Sequence, residues 1–522
     1  MNSFATCQAW WEGNAAKLIG AYGDGTRSGF SGFVQRVRRM FWSTPTTDKD
    51  RTRQLHIPIA ADIVQTSRTL LMSEQVKFEP AEVDDNPEVR KRVDLILNSS
   101  EMHAAMQQAA ESCAALGGVY GRIVWDSAVQ KHAWVDFVDA DQAIPEFIHG
   151  KLSAVTVWEV LDSVDNDVVW RHLEHHQPGR IYHGLYRGTS VGLGRLRELS
   201  EHKSTASIPV NEEGFIPTGV DGLTATYIPN ALPNPEWRGK GDLANLGRSD
   251  ISDPAVVQLM DQIDETYSSL ARDVRLAKAR LLASEHLLDS RGPGKGAQFD
   301  TEQEVFVPMS GAPNGAPVLE AHQFGIRVDD HLRTAEGFLR AILRRVGYSP
   351  HTFGMVDAGG AMTATEVDAK RDASVATHKS KSGLWKSGLA GFCQTLIQLD
   401  AIVFETGAVV TEPLNISWPP AARESPLQRA QTVESLDRAR AISLETKVDM
   451  LWPEWDNTQR ADEVKRIRAE QALADPYALG DDTAVDPVAD VDAVVPDLFE
   501  PTDEELAAAG IPPDDSEAPA AA

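Results

Sequence analysis

The stretch SDPAVVQLMDQIDETYSSLARDVRLAKARL, residues 252–281, decides the fold of this chain. Apolar side chains recur in it at alternating spacings of four and three, which is typical of a helix with one narrow packing seam. The seam consists of Val256, Met260, Ile263, Tyr267, Leu270, Val274, Ala277 and Leu281. Ser252 or Asp253 can cap the helix, and Pro254 suits its first turn. The stretch therefore predicts a long helix over residues 253–281.

A second helix with the same spacing is predicted within residues 326–348, and Gly347 should end it. Its seam consists of Val328, Leu332, Ala335, Leu339, Ile342 and Val346. Residues 282–325 between the two helices are rich in turn-forming residues and contain a short predicted strand at 304–307. Two long helices that flank a small irregular module indicate a stalk with a compact tip.

A glycine-rich loop follows at residues 349–363, and we expect it to be mobile. Its characteristic residues are Ser349, Pro350, His351, Gly354, Gly359 and Gly360. Thr363 and Glu366 then form a capping box, so a new helix should start there and reach about residue 405, a length of roughly 60 Å. The second half of this helix has an apolar seam, whereas the first half is polar nearly all round. A polar half-helix of this kind spans solvent or lines an aqueous cavity.

The remaining segments complete an α+β fold that is mainly helical. Residues 1–117 are predicted to be helical, and strands are predicted at 119–125, 134–138, 154–161, 168–173 and 224–228. Helices are predicted again at 427–444 and 457–473. From residue 475 onward there are 14 Asp and Glu residues and no Lys or Arg, so this tail is predicted to be disordered.

The composition limits the possible partners. The formal net charge is −27, of which the tail contributes −14 and the rest of the chain −13. Tight, charge-driven DNA binding needs Lys and Arg against phosphates, so an acidic chain fits DNA passage better than DNA capture. The three cysteines, Cys7, Cys113 and Cys393, have no metal spacing and indicate a reducing compartment. Neither a signal peptide nor an apolar run long enough for a membrane span is recognised, which predicts synthesis in the cytoplasm.

No motif in the sequence predicts an active site or a bound cofactor. His172, His175, His176 and His183 lie in predicted strands, and we interpret them as part of a solvated hairpin in preference to a metal site. The segment from Gly292 to Gly296 lacks the glycine spacing and the Ser or Thr of a phosphate-binding loop. The acidic residues are too dispersed to nominate a catalytic pair.

The order of these elements resembles the portal proteins of tailed double-stranded DNA bacteriophages, specifically the siphophage-type group. The resemblance lies in residues 55–63, 270–275, 349–354, 363–367 and 441–447, and it covers about residues 55–473. It implies a wing at 1–252 and 364–423, a stem at 253–281 and 326–348, a clip at 282–325, a tunnel loop at 349–363 and a crown at 424–475. Residues 476–522 are the acidic tail.

The resemblance also implies function. Twelve copies would form a ring at one capsid vertex, assembled in the host cytoplasm among major capsid and scaffolding proteins. Double-stranded DNA would pass through the ring, which would dock the terminase large subunit and later a head-completion or adaptor protein. In such a ring the polar half-helix would face the channel with Lys370, Arg371, Lys379 and Lys381. Arg291 and Lys295 in the clip are candidate contacts for the terminase or connector.

Two other function classes stay open at this point. A DNA-processing enzyme, such as a nuclease or a motor subunit, would need a carboxylate–metal or phosphate-loop constellation, which the sequence does not offer. Another structural or adaptor protein of the virion head–tail junction needs no such motif.

Overall fold

The structure of the protein is a computed structural model, and it describes most of the chain. The described residues are 2–23, 54–164, 168–277, 280–283, 289–290, 297–298, 319–322, 325–355, 364–420, 426–452, 455 and 457–474. The chain divides into two units, residues 1–423 and residues 424–522.

The fold is mixed α+β, with helices at both ends of the first unit and strands in its middle. The helices are α1 (Asn2–Trp11), α2 (Ala15–Gly23), α3 (Ile59–Leu71), α4 (Pro87–Ile96), α5 (Ser100–Leu116), α6 (Pro254–Leu276), α7 (Val328–Val346), α8 (Ala364–Val403), α9 (Pro426–Arg438), α10 (Leu444–Leu451) and α11 (Asn457–Ala474). Among the described residues, no helix is both long and apolar enough to cross a membrane.

The strands are short except in the middle of the first unit. They are β1 (Lys77–Glu79), β2 (Gly118–Val124), β3 (Trp134–Asp139), β4 (Ala143–Ile148), β5 (Lys151–Val164), β6 (Val168–Gln177), β7 (Arg180–Gly188), β8 (Arg195–Arg197), β9 (Phe215–Pro217), β10 (Ala225–Pro229), β11 (Arg280–Ala283), β12 (Asp289–Ser290), β13 (Ala297–Gln298), β14 (Leu319–His322) and β15 (Asn415–Ser417). Each of the five strands predicted in this middle region coincides with an observed one.

Local capping determines several helix boundaries. The Asp253 side chain accepts a hydrogen bond from the amide of Ala255, so α6 begins where the sequence predicts. Its predicted end at residue 281 is wrong: α6 stops at Leu276, and β11 pairs with β14 immediately afterwards. The Ser99 side chain accepts a hydrogen bond from the amide of Met102 and starts α5, so residues 87–116 form two helices, α4 and α5.

Two antiparallel sheets face each other in the middle of the first unit. One has the order β10-β2-β3, and the other has six strands, β4-β5-β6-β7-β8 with β9 also paired to β7. Tyr120, Val155 and Val157 are among the buried apolar side chains between them. His172, His176 and His183 are also buried here, so the solvated hairpin expected for these histidines is wrong. The reason is that the three-stranded sheet, whose Arg122 binds Glu174 between these histidines, covers the face on which they lie.

The largest core joins distant parts of the first unit, because its buried residues run from Leu71 to Leu414. Strand β1 pairs antiparallel with β15, which places Phe78 opposite Ile416. The guanidinium of Arg92 binds both carboxylate oxygens of Asp400, at 2.7 and 2.6 Å. Strand pairing and a salt bridge therefore join segments of the first unit that are far apart in sequence.

The second core contains the helices α6 and α7, together with α1, α2 and α3. Asp253 at the start of α6 pairs with Arg345 near the end of α7, while Asp273 near the end of α6 pairs with Arg327 just before α7. The two helices therefore form an antiparallel hairpin. Its seam is buried at the end that contains Ile342 and exposed toward the other end.

The described part of the second unit forms the helices α9, α10 and α11. Buried Val433, Val448 and Val464 contribute one side chain from each of them. The helix predicted over 427–444 is wrong in length, because α9 ends at Arg438 and a separate helix starts after the capping Ser443. The predicted strand at 304–307 and the tail lie outside the described residues.

Candidate functional site

A tight turn leads from the helical hairpin toward the long helix α8. Gly347 ends α7 with φ 92°, a left-handed conformation that glycine adopts at low cost. Residues Pro350–Phe353 then form a short 3-10 helix. The Ser349 hydroxyl caps its start by accepting a hydrogen bond from the amide of His351. This turn contains the described part of the predicted tunnel loop.

Side chains of α8 bind the backbone of this turn. The hydroxyl of Thr377 donates to the carbonyl oxygen of Gly347 at 2.5 Å, and the amide of Ser349 donates to the hydroxyl of Ser374 at 2.9 Å. Tyr348 is buried in the second core. The expectation of a mobile, unanchored loop is therefore wrong for residues 347–354, where hydroxyl groups and a buried ring supply the anchor. Gly359 and Gly360 lie outside the described residues.

A buried ion pair between Lys381 and Asp250 lies next to the turn, where it contacts Tyr348. Lys381 of α8 is only 5% exposed, and its Nζ lies 2.5 Å from Oδ2 of Asp250 and 2.7 Å from Oγ of Ser67. The Tyr348 hydroxyl donates to the same Oδ2 at 3.3 Å, and Nδ2 of Asn230 donates to Oδ1 at 2.8 Å. The lysine ammonium group and the aspartate are thus both paired and hydrogen-bonded, as buried charges must be.

The electrostatics of this pair follow from its geometry. Burial alone would lower the pKa of Lys381, but the attraction of Asp250 outweighs burial and the pKa is raised. Burial also raises the pKa of Tyr348 to about 12. Lys381 is therefore charged and Tyr348 is neutral throughout the physiological pH range. The prediction that Lys381 faces an aqueous channel is wrong, because Asp250, which is 131 residues away in the chain, binds its ammonium group inside the protein.

The exposed face of α8 in this region is formed mostly by small side chains. Its residues, spaced by three or four, are Asp372, Ala376, Lys379, Gly383, Ser387 and Gly391. Lys379 contributes a positive charge to this face. Ser374, His378, Lys381 and Ser382 are buried on the other side. The expectation that the polar first half of the helix spans solvent or lines an aqueous cavity is therefore wrong for this side.

The other predicted site residues are Lys370, Arg371, Arg291 and Lys295. Lys370 and Arg371 belong to the first turns of α8, but their side chains lie outside the described residues. Arg291 and Lys295 lie outside them as well. Sequence reasoning missed Asp250 and Tyr348, and no local pattern marks them, because their partner belongs to a helix far along the chain.

A comparison with protein-family models gives a match over most of the chain. The family model described as phage portal protein, SPP1 Gp6-like, matches residues 40–477. None of the curated proteins matches the chain. Among solved structures, a chain from the neck of an empty GTA particle, computed with C6 symmetry, is 13% identical, with a TM-score of 0.40 over 79% of this chain and 95% of that one. A TM-score of that size does not establish a shared fold.

Proposed function

This chain belongs to the SPP1 Gp6-like family of phage portal proteins, and from that membership we propose that it forms a closed ring of twelve subunits at one vertex of the capsid. Double-stranded DNA would be packaged and ejected through the central hole. The family is structural and not enzymatic, and it implies a place in the virion. The match over residues 40–477 is the observation that supports this function most directly.

The helical hairpin offers a surface for neighbouring subunits. At the end of the hairpin away from Ile342, which we call the distal end, Val274 is 50% exposed, Leu332 43% and Val328 39%. All three continue a seam that is buried at the Ile342 end. Apolar side chains that recur along a hairpin gain stability when a second copy covers them. A head-to-tail contact between copies closes into a ring when its rotation closes. We assign the exposed half of this seam to the contact between subunits.

The charge distribution suits a conduit. Each phosphate that binds tightly to the wall would retard the moving DNA, and such contacts strengthen at low salt. The exposed face of α8 combines small side chains with Lys379 and Asp372, so its contacts with passing phosphates would be few and screened. We propose that this face and the loop before it line the channel.

The division into wing, stem, clip, tunnel loop and crown given above belongs to the same proposal. In it, the clip with Arg291 and Lys295 docks the terminase large subunit during packaging and the head-completion or adaptor protein afterwards. Major capsid and scaffolding proteins surround the ring during assembly.

Negative-stain electron microscopy of the purified full-length chain tests the ring. The expected image is a ring with a central hole and twelve-fold symmetry, and mass photometry should give twelve subunits. A chain that stays monomeric at all concentrations would count against the proposal. Monomers that hydrolyse ATP would point to a packaging motor instead.

Replacing Lys370, Arg371 and Lys379 together with glutamine tests the channel. Rings should form normally, while the amount of DNA packaged or retained changes, because passing phosphates lose their cationic contacts. The matched control replaces the exposed Lys151, Arg195 and Arg197 of the six-stranded sheet with glutamine, and it should package normally. A map of the ring that places Lys379 on the outer surface would refute the channel assignment.

A further inference from the structure

The buried histidines between the two sheets form a cluster with one glutamate. Along β6, His172, Glu174 and His176 alternate with outward-facing residues, so they lie on one face of the strand. Glu174 is directly opposite His183 of β7, and His172 is a diagonal neighbour of His183. The strand sequence His-x-Glu-x-His and the facing histidine thus bring four polar side chains together on the covered face.

The donor atoms of three of these residues are close enough to share one ion. One nitrogen or oxygen from each of His172, Glu174 and His183 lies within 4.8 Å of the others. Nε2 of His172 and Nδ1 of His183 are 3.1 Å apart, and Oε1 of Glu174 lies 3.9 Å from Nδ1 of His183. Ligands bound tetrahedrally at about 2.1 Å from a zinc ion are separated by about 3.4 Å, which lies between these two distances.

Two further observations favour a ligand at this place. Nε2 of His176 is buried without a hydrogen-bond partner and lies 3.6 Å from Oε2 of Glu174. Oε1 of Glu174 lies 3.8 Å from Nδ1 of His172 and 3.9 Å from Nδ1 of His183, which is too far for direct hydrogen bonds. A buried imidazole nitrogen left without a partner, as Nε2 of His176 is, is costly unless something binds it.

The protonation states also fit. Burial lowers the pKa of His183 to about 4, against the opposing attraction of Glu174, and burial lowers the pKa of His172 as well. Burial alone would raise the pKa of Glu174, but His176 and Arg122 outweigh it and the pKa is lowered. At neutral pH the two imidazoles are therefore neutral and the carboxylate is charged, which are the forms that bind metal ions.

We propose that His172, Glu174 and His183 form a structural site for a divalent transition metal ion, with Zn²⁺ as the best match to two imidazoles and a carboxylate. The ion would join β6 to β7. Arg122 of β2 binds Oε2 of Glu174 at 2.6 Å and leaves Oε1 for the metal, so the facing sheet is joined to the same carboxylate. The guanidinium also repels a cation, which should make the affinity moderate. This site is independent of the proposed ring and channel.

Metal binding is tested on the full-length chain after dialysis against a chelator. Titration with ZnCl₂ should reveal one saturable site per chain and raise the melting temperature. Titration with CoCl₂ should produce the visible absorption of a cobalt ion with nitrogen and oxygen ligands.

The variants His172→Gln and His183→Gln should lower the Zn²⁺ affinity at least tenfold and abolish the cobalt absorption. His175→Gln is the matched control, because His175 lies on the opposite face of β6, where its Nδ1 forms a hydrogen bond with the hydroxyl of Thr156. Circular dichroism checks that each variant is folded. A wild-type chain without the cobalt absorption and without a Zn²⁺-induced rise in melting temperature would overturn the proposal. That result would leave His172 and His183 as a hydrogen-bonded pair. Equal loss of binding in His175→Gln would overturn it too.

Discussion

Replacing Lys381 with methionine should destabilise the protein by about 3–5 kcal/mol, the range observed when one partner of a buried ion pair is removed. Methionine fills much of the same space, but the carboxylate of Asp250 then stays buried without its cation. The Tyr348 hydroxyl and the Asn230 amide cannot replace a full positive charge. Urea or thermal unfolding at one fixed protein concentration measures the effect, since ring formation would make stability concentration-dependent.

The matched control is Lys379→Met, two residues earlier in the same helix and exposed to solvent. It should change the free energy of unfolding by no more than about 0.5 kcal/mol, as is usual for surface positions. The double variant Asp250→Asn with Lys381→Met should lose less than the sum of the two single losses, because it removes both charges. If Lys381→Met is as stable as Lys379→Met, the ion pair does not stabilise the fold.

Replacing Leu332 with aspartate should abolish ring assembly while leaving the subunit folded. Leu332 is 43% exposed in the single chain, so the new carboxylate keeps much of its hydration there. In a ring, a second copy would cover it, and an unpaired buried charge costs several kcal/mol at each of the subunit contacts. Size-exclusion chromatography with light scattering should show small species, and circular dichroism should show the helical content of the wild type.

Thr334→Asp introduces the same charge two residues away, at an exposed position that is not part of the seam. This control should form rings at the wild-type yield. Rings of normal size and melting temperature from Leu332→Asp would show that the distal seam is not a subunit contact.

Local patterns sufficed for much of the fold. The alternation of apolar and polar residues located the strands, and the capping Asp253 with Pro254 located the start of α6. The apolar seam in the second half of α8 contains Trp385, Leu389 and Leu396, and all three are buried, since a helix that presents one apolar stripe must cover it. These elements depend on residues near each other in sequence.

The errors concern residues whose surroundings come from distant parts of the chain. The polarity of Lys381 suggested contact with water, but no local signal reveals an aspartate 131 residues away. Strand alternation places His172 and Glu174 on one face, yet only the facing sheet decides that this face is buried. The assignment of wing, stem, clip and crown stays a prediction, as does the disordered tail.

The pairing of β1 with β15 has a consequence for biosynthesis. Phe78 emerges from the ribosome long before its partner Ile416, and Arg92 long before Asp400. At about 5–20 residues per second, the interval between residues 71 and 418 is roughly 20–70 s. During this time the nascent chain exposes Leu71 and its apolar neighbours, which makes it a substrate for chaperones. The first unit therefore completes its folding only after residue 417, the end of β15, has been translated.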